Sequence, residues 1–349
     1  MSQRPQSGEP DAHAATATSS SRELPPPVER AITQPSPRLI APLDLLTLIS
    51  FVVLIPIAWL LPQHLWSKLG RCVIALALRL LPWIAGDRIA RIDHCLGPAS
   101  LRLPAHEIFI REISRYFEDT LLLLKCYRPD GWEPTVELHG LEYLRAAVSS
   151  GKGVVLWFSH LHHASLISKI AMYRAGFAMS HLSHPRHGFS PTRFGMRFLN
   201  PIRTHVENRY LKERVSMGLD GATAAVNTLR ERLLAGGVIS ITARDIARKP
   251  VRVPLLAGSL TLAIGAPSFA QQTQATLLSV HAVQVESGTY AAIIDPPIVL
   301  NSAQPRWVAG EAAAQEYARR LEAVVREYPD QWLGWGELDM AVPSMPNQD

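Results

Sequence analysis

Gly151-Lys152-Gly153-Val154-Val155-Leu156-Trp157-Phe158-Ser159-His160-Leu161-His162-His163-Ala164-Ser165-Leu166-Ile167-Ser168 is the stretch from which the fold is read. Turn residues, Ser149 to Gly153, lead into a short apolar run, Val154–Phe158, that is β-branched at its start. Such a run predicts a buried strand. Past Ser159-His160 the apolar spacing turns helical through Leu161, Ala164, Ile167, Ile170 and Ala171. His160 therefore stands where a strand hands over to a helix, and in α/β sheets that edge is where ligands and chemistry collect. Histidine is also the side chain suited to proton transfer near neutral pH, which makes His160 the candidate general base.

Strands alternate with helices on both sides of this unit. Towards the N-terminus, 89–124 predicts helices around the turn Gly97-Pro98, 136–138 a short strand and 141–148 a helix. Towards the C-terminus, 177–182 predicts a strand followed by loop histidines (His181, His184, His187), and 193–210 reads as a basic loop. A helix at 223–234 and a strand at 238–242 lead to Ala243-Arg244-Asp245. Next come a strand at 251–256, a Gly-bounded loop, a helix near 266–272, strands at 275–283 and 290–294, and an amphipathic helix at 311–327. The pattern predicts an α/β fold, a mixed sheet flanked by helices.

The N-terminal part differs. Residues 1–42 are rich in Pro, Ser, Ala and Thr without periodicity and read as a disordered tail. Leu43–Leu61 is the most apolar run in the chain, long enough to span a bilayer core of roughly 30 Å. Leu65–Leu81 places Lys68, Arg71 and Arg79 on one face of an otherwise apolar helix, as an interfacial helix requires. Basic residues on both sides of the first segment leave its orientation open, and a monotopic anchor is compatible with the pattern. The expected organisation is a tail (1–42), an anchor with its interfacial helix (43–84), a folded domain (85–338) and a second tail (339–349).

Of the 349 residues, 47% are hydrophobic and 19% charged, an apolar balance that fits membrane contact. The net charge of +5 suits an anionic membrane surface or an acidic partner, and the chain lacks the dense Lys/Arg clustering of a nucleic-acid binder. Cys72, Cys95 and Cys126 are scattered and odd in number, against a disulfide framework. Gly151-Lys152-Gly153 precedes its strand and lacks P-loop spacing. There is no nucleophile-elbow motif of a serine hydrolase. Two histidine clusters, 160–163 and 181–187, contain neither cysteine nor carboxylate, so no metal site is assigned, although a histidine-metal hydrolase stays as a minor alternative.

Several motifs, in this order, resemble the bacterial lipid A late acyltransferases, within the lysophospholipid acyltransferase-like superfamily. They are Gly140-Leu141-Glu142, Gly151 to Val155, His160, Leu233 to Gly237 on to Asp245, Arg248-Lys249 through Leu255, and Tyr317, Leu321-Glu322 and Tyr328 to Leu333. The resemblance covers about residues 43–335. It implies a glycerolphosphate acyltransferase-like domain behind a membrane anchor, at the bacterial inner membrane and facing the cytoplasm. It implies transfer of a fatty acyl chain from an acyl carrier protein or coenzyme A thioester to a hydroxyl or amine of a glycolipid or lysolipid, as in lipid A-like or other envelope lipid synthesis, with no cofactor beyond that co-substrate. His160 falls on the histidine of the family's H-x-x-x-x-D/E motif, whose carboxylate orients the imidazole. Here the carboxylate position is Ser165. Arg209, Arg214, Arg248 and Lys249 are the candidates for binding anionic groups, and Asp245 for structural or substrate support. Three readings follow from Ser165: a distant acid, Asp245 or Glu207, substitutes; Ser165 with His160 supports a different acyl transfer; or the domain is a catalytically inactive lipid-binding or scaffold protein.

Overall fold

The computed structural model describes residues 38–80, 85–97, 103–184, 186–218, 222–244 and 250–340. Four helices come first: α1 (Pro42–Leu60), α2 (Trp66–Leu80), α3 (Gly86–Leu96) and α4 (Ala105–Lys125). Helix α1 is the apolar run, opened by Pro42 and by the Asp44 carboxylate, which accepts the Ala41 amide at 2.8 Å. Among the described helices α1 is the one long and apolar enough to cross a membrane. Its buried residues are Asp44, Phe51 and Ala58, a seven-residue spacing that makes one stripe along the helix. At its start, Thr192 Oγ1 donates to Asp44 at 2.7 Å; at its end, Trp59 Nε1 donates to the Leu124 carbonyl at 3.0 Å. Both ends of α1 thus rest on the folded domain, while Leu45, Ile49, Val52 and Val53 on other faces are exposed. Helix α2 packs on α4 through Trp66 and Gly70 and leaves Lys68, Val73, Leu76, Arg79 and Leu80 exposed.

The α/β domain follows as β1 (Thr135–His139), α5 (Leu141–Ser149), β2 (Val154–Phe158), α6 (Ala164–Arg174), β3 (Ser180–Ser183), α7 (Asn200–Asn208), β4 (Glu213–Ser216), α8 (Thr223–Leu234) and β5 (Val238–Thr242). A hairpin, β6 (Val251–Leu255) and β7 (Gly258–Leu262), precedes α9 (Gly265–Thr273), β8 (Thr276–Glu286), β9 (Thr289–Ile294), α10 (Arg306–Glu327) and β10 (Asp339–Met340). The seven-stranded sheet runs β1-β9-β8-β2-β5-β3-β4. All neighbours are parallel except the β8–β9 hairpin, so the sheet is mixed as expected. β2 lies between β5 and β8 with all five residues buried, which is why its sequence is a continuous apolar run instead of an alternating one. β10, β7 and β6 form a small antiparallel sheet, so residues 339 and 340, expected in the C-terminal tail, are paired strand.

The basic stretch 193–210, expected as a loop, is helical: a π-helical turn at Gly195–Leu199 continues into α7. Its buried residues Leu199, Val206 and Tyr210 keep helical spacing beneath the arginines, and the charge obscured that period. His181 lies on β3, not in the loop after it. The sequence pattern predicts neither β4, a four-residue edge strand, nor β7, a Gly/Ser/Thr-bearing middle strand of the small sheet, because such short runs carry little hydrophobic signal.

Candidate active site

The turn after β2 is fixed from three sides. The Ser159 amide bonds the Val280 carbonyl on β8 (2.9 Å), and the His162 amide bonds the Gln331 carbonyl (2.8 Å). The His163 amide bonds Asp119 Oδ1 on α4 at 2.7 Å, and the Leu333 amide reaches the His160 carbonyl at 3.3 Å. His163 adopts φ +63°, a left-handed conformation uncommon outside glycine and one that such surrounding contacts must impose. The C-terminal motif is therefore a clamp on this turn. Gln331 bonds the Gln284 backbone through both ends of its amide (2.8 Å each), and Asp330 pairs with Arg115 at 2.8 Å. Trp332 bridges to Leu161 and packs edge-on against Trp335.

His160 opens onto a cavity of about 540 Å³ at the carboxyl edge of β2, β3 and β5. Leu122, Leu123, Phe158, Leu166, Val226, Ile241 and Phe269 supply apolar wall; His160, His184, His187, Arg186, Arg203 and Arg244 supply polar and cationic wall. Burial, reinforced by the Arg244 charge, pushes the His160 imidazole down from 6.5 to about 3, so it is neutral throughout the physiological range. Its Nδ1 is buried without a hydrogen-bond partner among the described residues.

Two carboxylates hold the neighbouring histidines. Asp119 lies 2.8 Å from His162 Nδ1 and 2.6 Å from His163 Nδ1. Burial alone raises an acid, but the His163 and His162 partners outweigh it and hold Asp119 well below the usual carboxylate range. Both imidazoles are fully enclosed. Glu207, at the end of α7, is also fully buried and stands behind Ser165. It accepts from Ser165 Oγ (3.0 Å), Lys169 Nζ (2.9 Å), Arg214 Nη2 (2.7 Å) and His187 Nε2 (3.0 Å). Lys169, His187 and Arg214 override its burial and keep it ionised. Of the two acids proposed to replace the motif carboxylate, Glu207 thus reaches the Ser165 position but binds His187, not His160. Asp245, Arg248 and Lys249 lie outside the described residues.

The arginines expected to bind anions are placed otherwise. Arg209 donates to the Cys126 carbonyl at 2.9 Å and covers the Tyr127 ring, and Arg214 is divided among Glu207, Ser183 and Asn208. Arg186, Arg203 and Arg244 face the cavity instead. Arg244 was legible as a residue just past a strand, the logic applied to His160. Lys169 was missed; a lone lysine among Ile167, Ile170 and Ala171 was the available signal. No group of three or more His, Cys, Asp or Glu side chains suited to a metal occurs among the described residues.

A mixed α/β domain with an imidazole- and arginine-walled cavity at the strand edge fits the binding of a small molecule or lipid, and the family comparison gives the class as acyltransferases. The profile of the bacterial lipid A biosynthesis acyltransferases matches residues 110–335, well over half of the chain, and the chain belongs to that family. A search of curated protein sequences finds no match. Among solved structures, the crystal structure of a 1-acyl-sn-glycerophosphate acyltransferase from Thermotoga maritima is 12% identical, with 76% of this chain and 97% of that chain covered. The TM-score of that match is 0.33.

Proposed function

We propose that the protein moves a fatty acyl chain from an acyl thioester, on acyl carrier protein or coenzyme A, to a hydroxyl or amine of an anionic glycolipid or lysolipid at the membrane. The observation that carries this reading is the composition of the cavity. One wall suits an acyl chain, the arginines suit phosphate or another anion, and a neutral histidine stands between them. His160 takes the acceptor's proton. Among the described residues no carboxylate bonds Nδ1, an arrangement that predicts slower proton transfer than an oriented dyad gives.

The anchor supports the same reading. Helix α4 carries α1 and α2 and also contributes Asp119, Leu122 and Leu123 to the cavity. Because α1 is held to the domain at both ends, it lies along the membrane face as a monotopic anchor, with its apolar side in lipid and Lys68 and Arg79 of α2 at the headgroups. The bacterial inner membrane and a cytoplasmic domain are the setting that this donor chemistry requires.

Detergent-purified protein is offered both thioesters with lysolipid and lipid A precursor acceptors, beside His160→Ala. Transfer that falls by about 10²-fold or more in the variant supports the base; unchanged transfer removes His160 from the role. An Nδ1 without a partner among the described residues favours one second reading, a catalytically inactive lipid-binding or scaffold protein. Acyl-lipid binding without transfer from any donor would establish it.

A further inference from the structure

Ser165 and Lys169 lie four residues apart on α6 and therefore on one face. Lys169 Nζ donates to Ser165 Oγ at 2.9 Å. Ser165 lines the cavity in the first turn of the helix, whereas the Lys169 side chain is wholly enclosed. Glu207 closes the group, accepting from Ser165 and from Lys169. A carboxylate at the motif position would orient an imidazole. A hydroxyl held against an enclosed amine and facing the substrate cavity is the arrangement of a nucleophile and its base.

We infer that Ser165 is an acyl-accepting nucleophile and Lys169 its base, so that the acyl group rests on an acyl-serine before it is passed on. The inference rests on reading the cavity as an acyl thioester site. Once Nζ has lost its proton and the hydroxyl has turned from Glu207 to it, Ser165 Oγ attacks the thioester carbonyl carbon as its proton goes to Nζ. The carbon–sulfur bond breaks, and the departing thiolate takes that proton and leaves as the thiol. The acceptor hydroxyl or amine then attacks the ester carbon, the Oγ–carbon bond breaks, and the proton lost by the acceptor is the one Oγ regains. Water in the acceptor's place gives slow thioester hydrolysis, a second activity of the same site.

For this chemistry the amine must shed its proton. Burial is the main cause that lowers Lys169, Glu207 opposes it, and Arg214 and Arg203 add repulsion; the balance sits at about 8. His181 on β3 and His187 also face the cluster. Burial first, and then Lys169, holds His181 well below the usual histidine range, so it is neutral where the amine titrates. Acylation therefore accelerates as pH rises through about 8.

The test uses the full-length protein in detergent with lauroyl- to palmitoyl-coenzyme A and no acceptor, acid-quenched and read by intact mass and peptide mapping. The expected result is one acyl group on Ser165, resistant to neutral hydroxylamine and absent from Ser165→Ala. The same variant, which keeps the Lys169–Glu207 ion pair, should lose transfer to lipid acceptors by about 10³-fold. Ser165→Cys should regain the adduct as a hydroxylamine-labile thioester. An adduct mapping to the exposed Cys72 instead would overturn the assignment. Transfer by Ser165→Ala at the wild-type rate, with no acyl-serine in the wild type, overturns the nucleophile and leaves the acyltransferase reading standing. An acyl-serine without onward transfer supports the nucleophile and overturns the lipid acceptor. Neither adduct nor transfer overturns both.

Discussion

Glu207 shows how much a single side chain organises here. It is enclosed with two cations, Lys169 and Arg214, and with His187. Removing one partner of a buried ion pair leaves a charge that neither water nor protein stabilises, a loss of about 3–5 kcal/mol. Glu207→Ala is therefore expected to lower stability on that scale in urea titration, far more than Ser165→Ala, which leaves the charges matched. A loss below about 1 kcal/mol would mean that water reaches the cluster. Little of this was visible in the sequence: Ser165, Lys169, His187 and Glu207 spread over three separate segments, and no local pattern says that they meet. His160, by contrast, was legible from a strand–helix switch that is local.

At the scale of elements, the β2 unit depends on its entry turn. Gly153 has φ +79°, and a Cβ there would sit 2.6 Å from the Leu233 carbonyl oxygen. Gly153→Ala must overcome both the left-handed backbone and that contact, so a loss of about 1–3 kcal/mol is expected, read as a lowered Tm with the cavity residues untouched. Helix α1 gives a second prediction at this scale. Val52 is 71% exposed on a helix whose other side is packed on the domain. If α1 is the proposed anchor, Val52→Lys should weaken flotation with anionic vesicles without changing Tm in detergent, because it places a charge on the exposed apolar face and none in the core. Retained flotation would show that α1 does not carry the attachment.

For the whole molecule, the enclosed histidines set the response to acid. His160 titrates at about 3 when folded against 6.5 ordinarily, and burial lowers His162 and His181 in the same direction. Between those values the unfolded chain binds more protons than the folded one. The stability is thus complete above about 6.5 and is lost as pH falls towards 3. Asp119 and Glu207, both held below the usual carboxylate range, add a loss of the same sign at lower pH still. Thermal unfolding followed from pH 7 to 4 should show a steadily falling Tm, with a shallower slope in His160→Ala. A flat Tm over that range would contradict the enclosed, neutral state of these rings.

What is local can be read from the residues alone: the apolar first helix, the buried central strand, the alternation that makes an α/β sheet, and His160 at its edge. Each of these is written in the spacing of neighbouring residues, where the 3.6 and 2.0 periods act directly. Packing alone settles that α1 rests on the domain, that Asp119 and Glu207 bond histidines other than His160, that Arg209 and Arg214 bond neighbouring protein groups while Arg186, Arg203 and Arg244 face the cavity, and that the Gln331-Trp332 segment clamps the turn after β2. Those outcomes depend on which surfaces and charges meet across the sheet. A buried charge accepts whichever partner the packing delivers to it, however far away in the chain that partner lies.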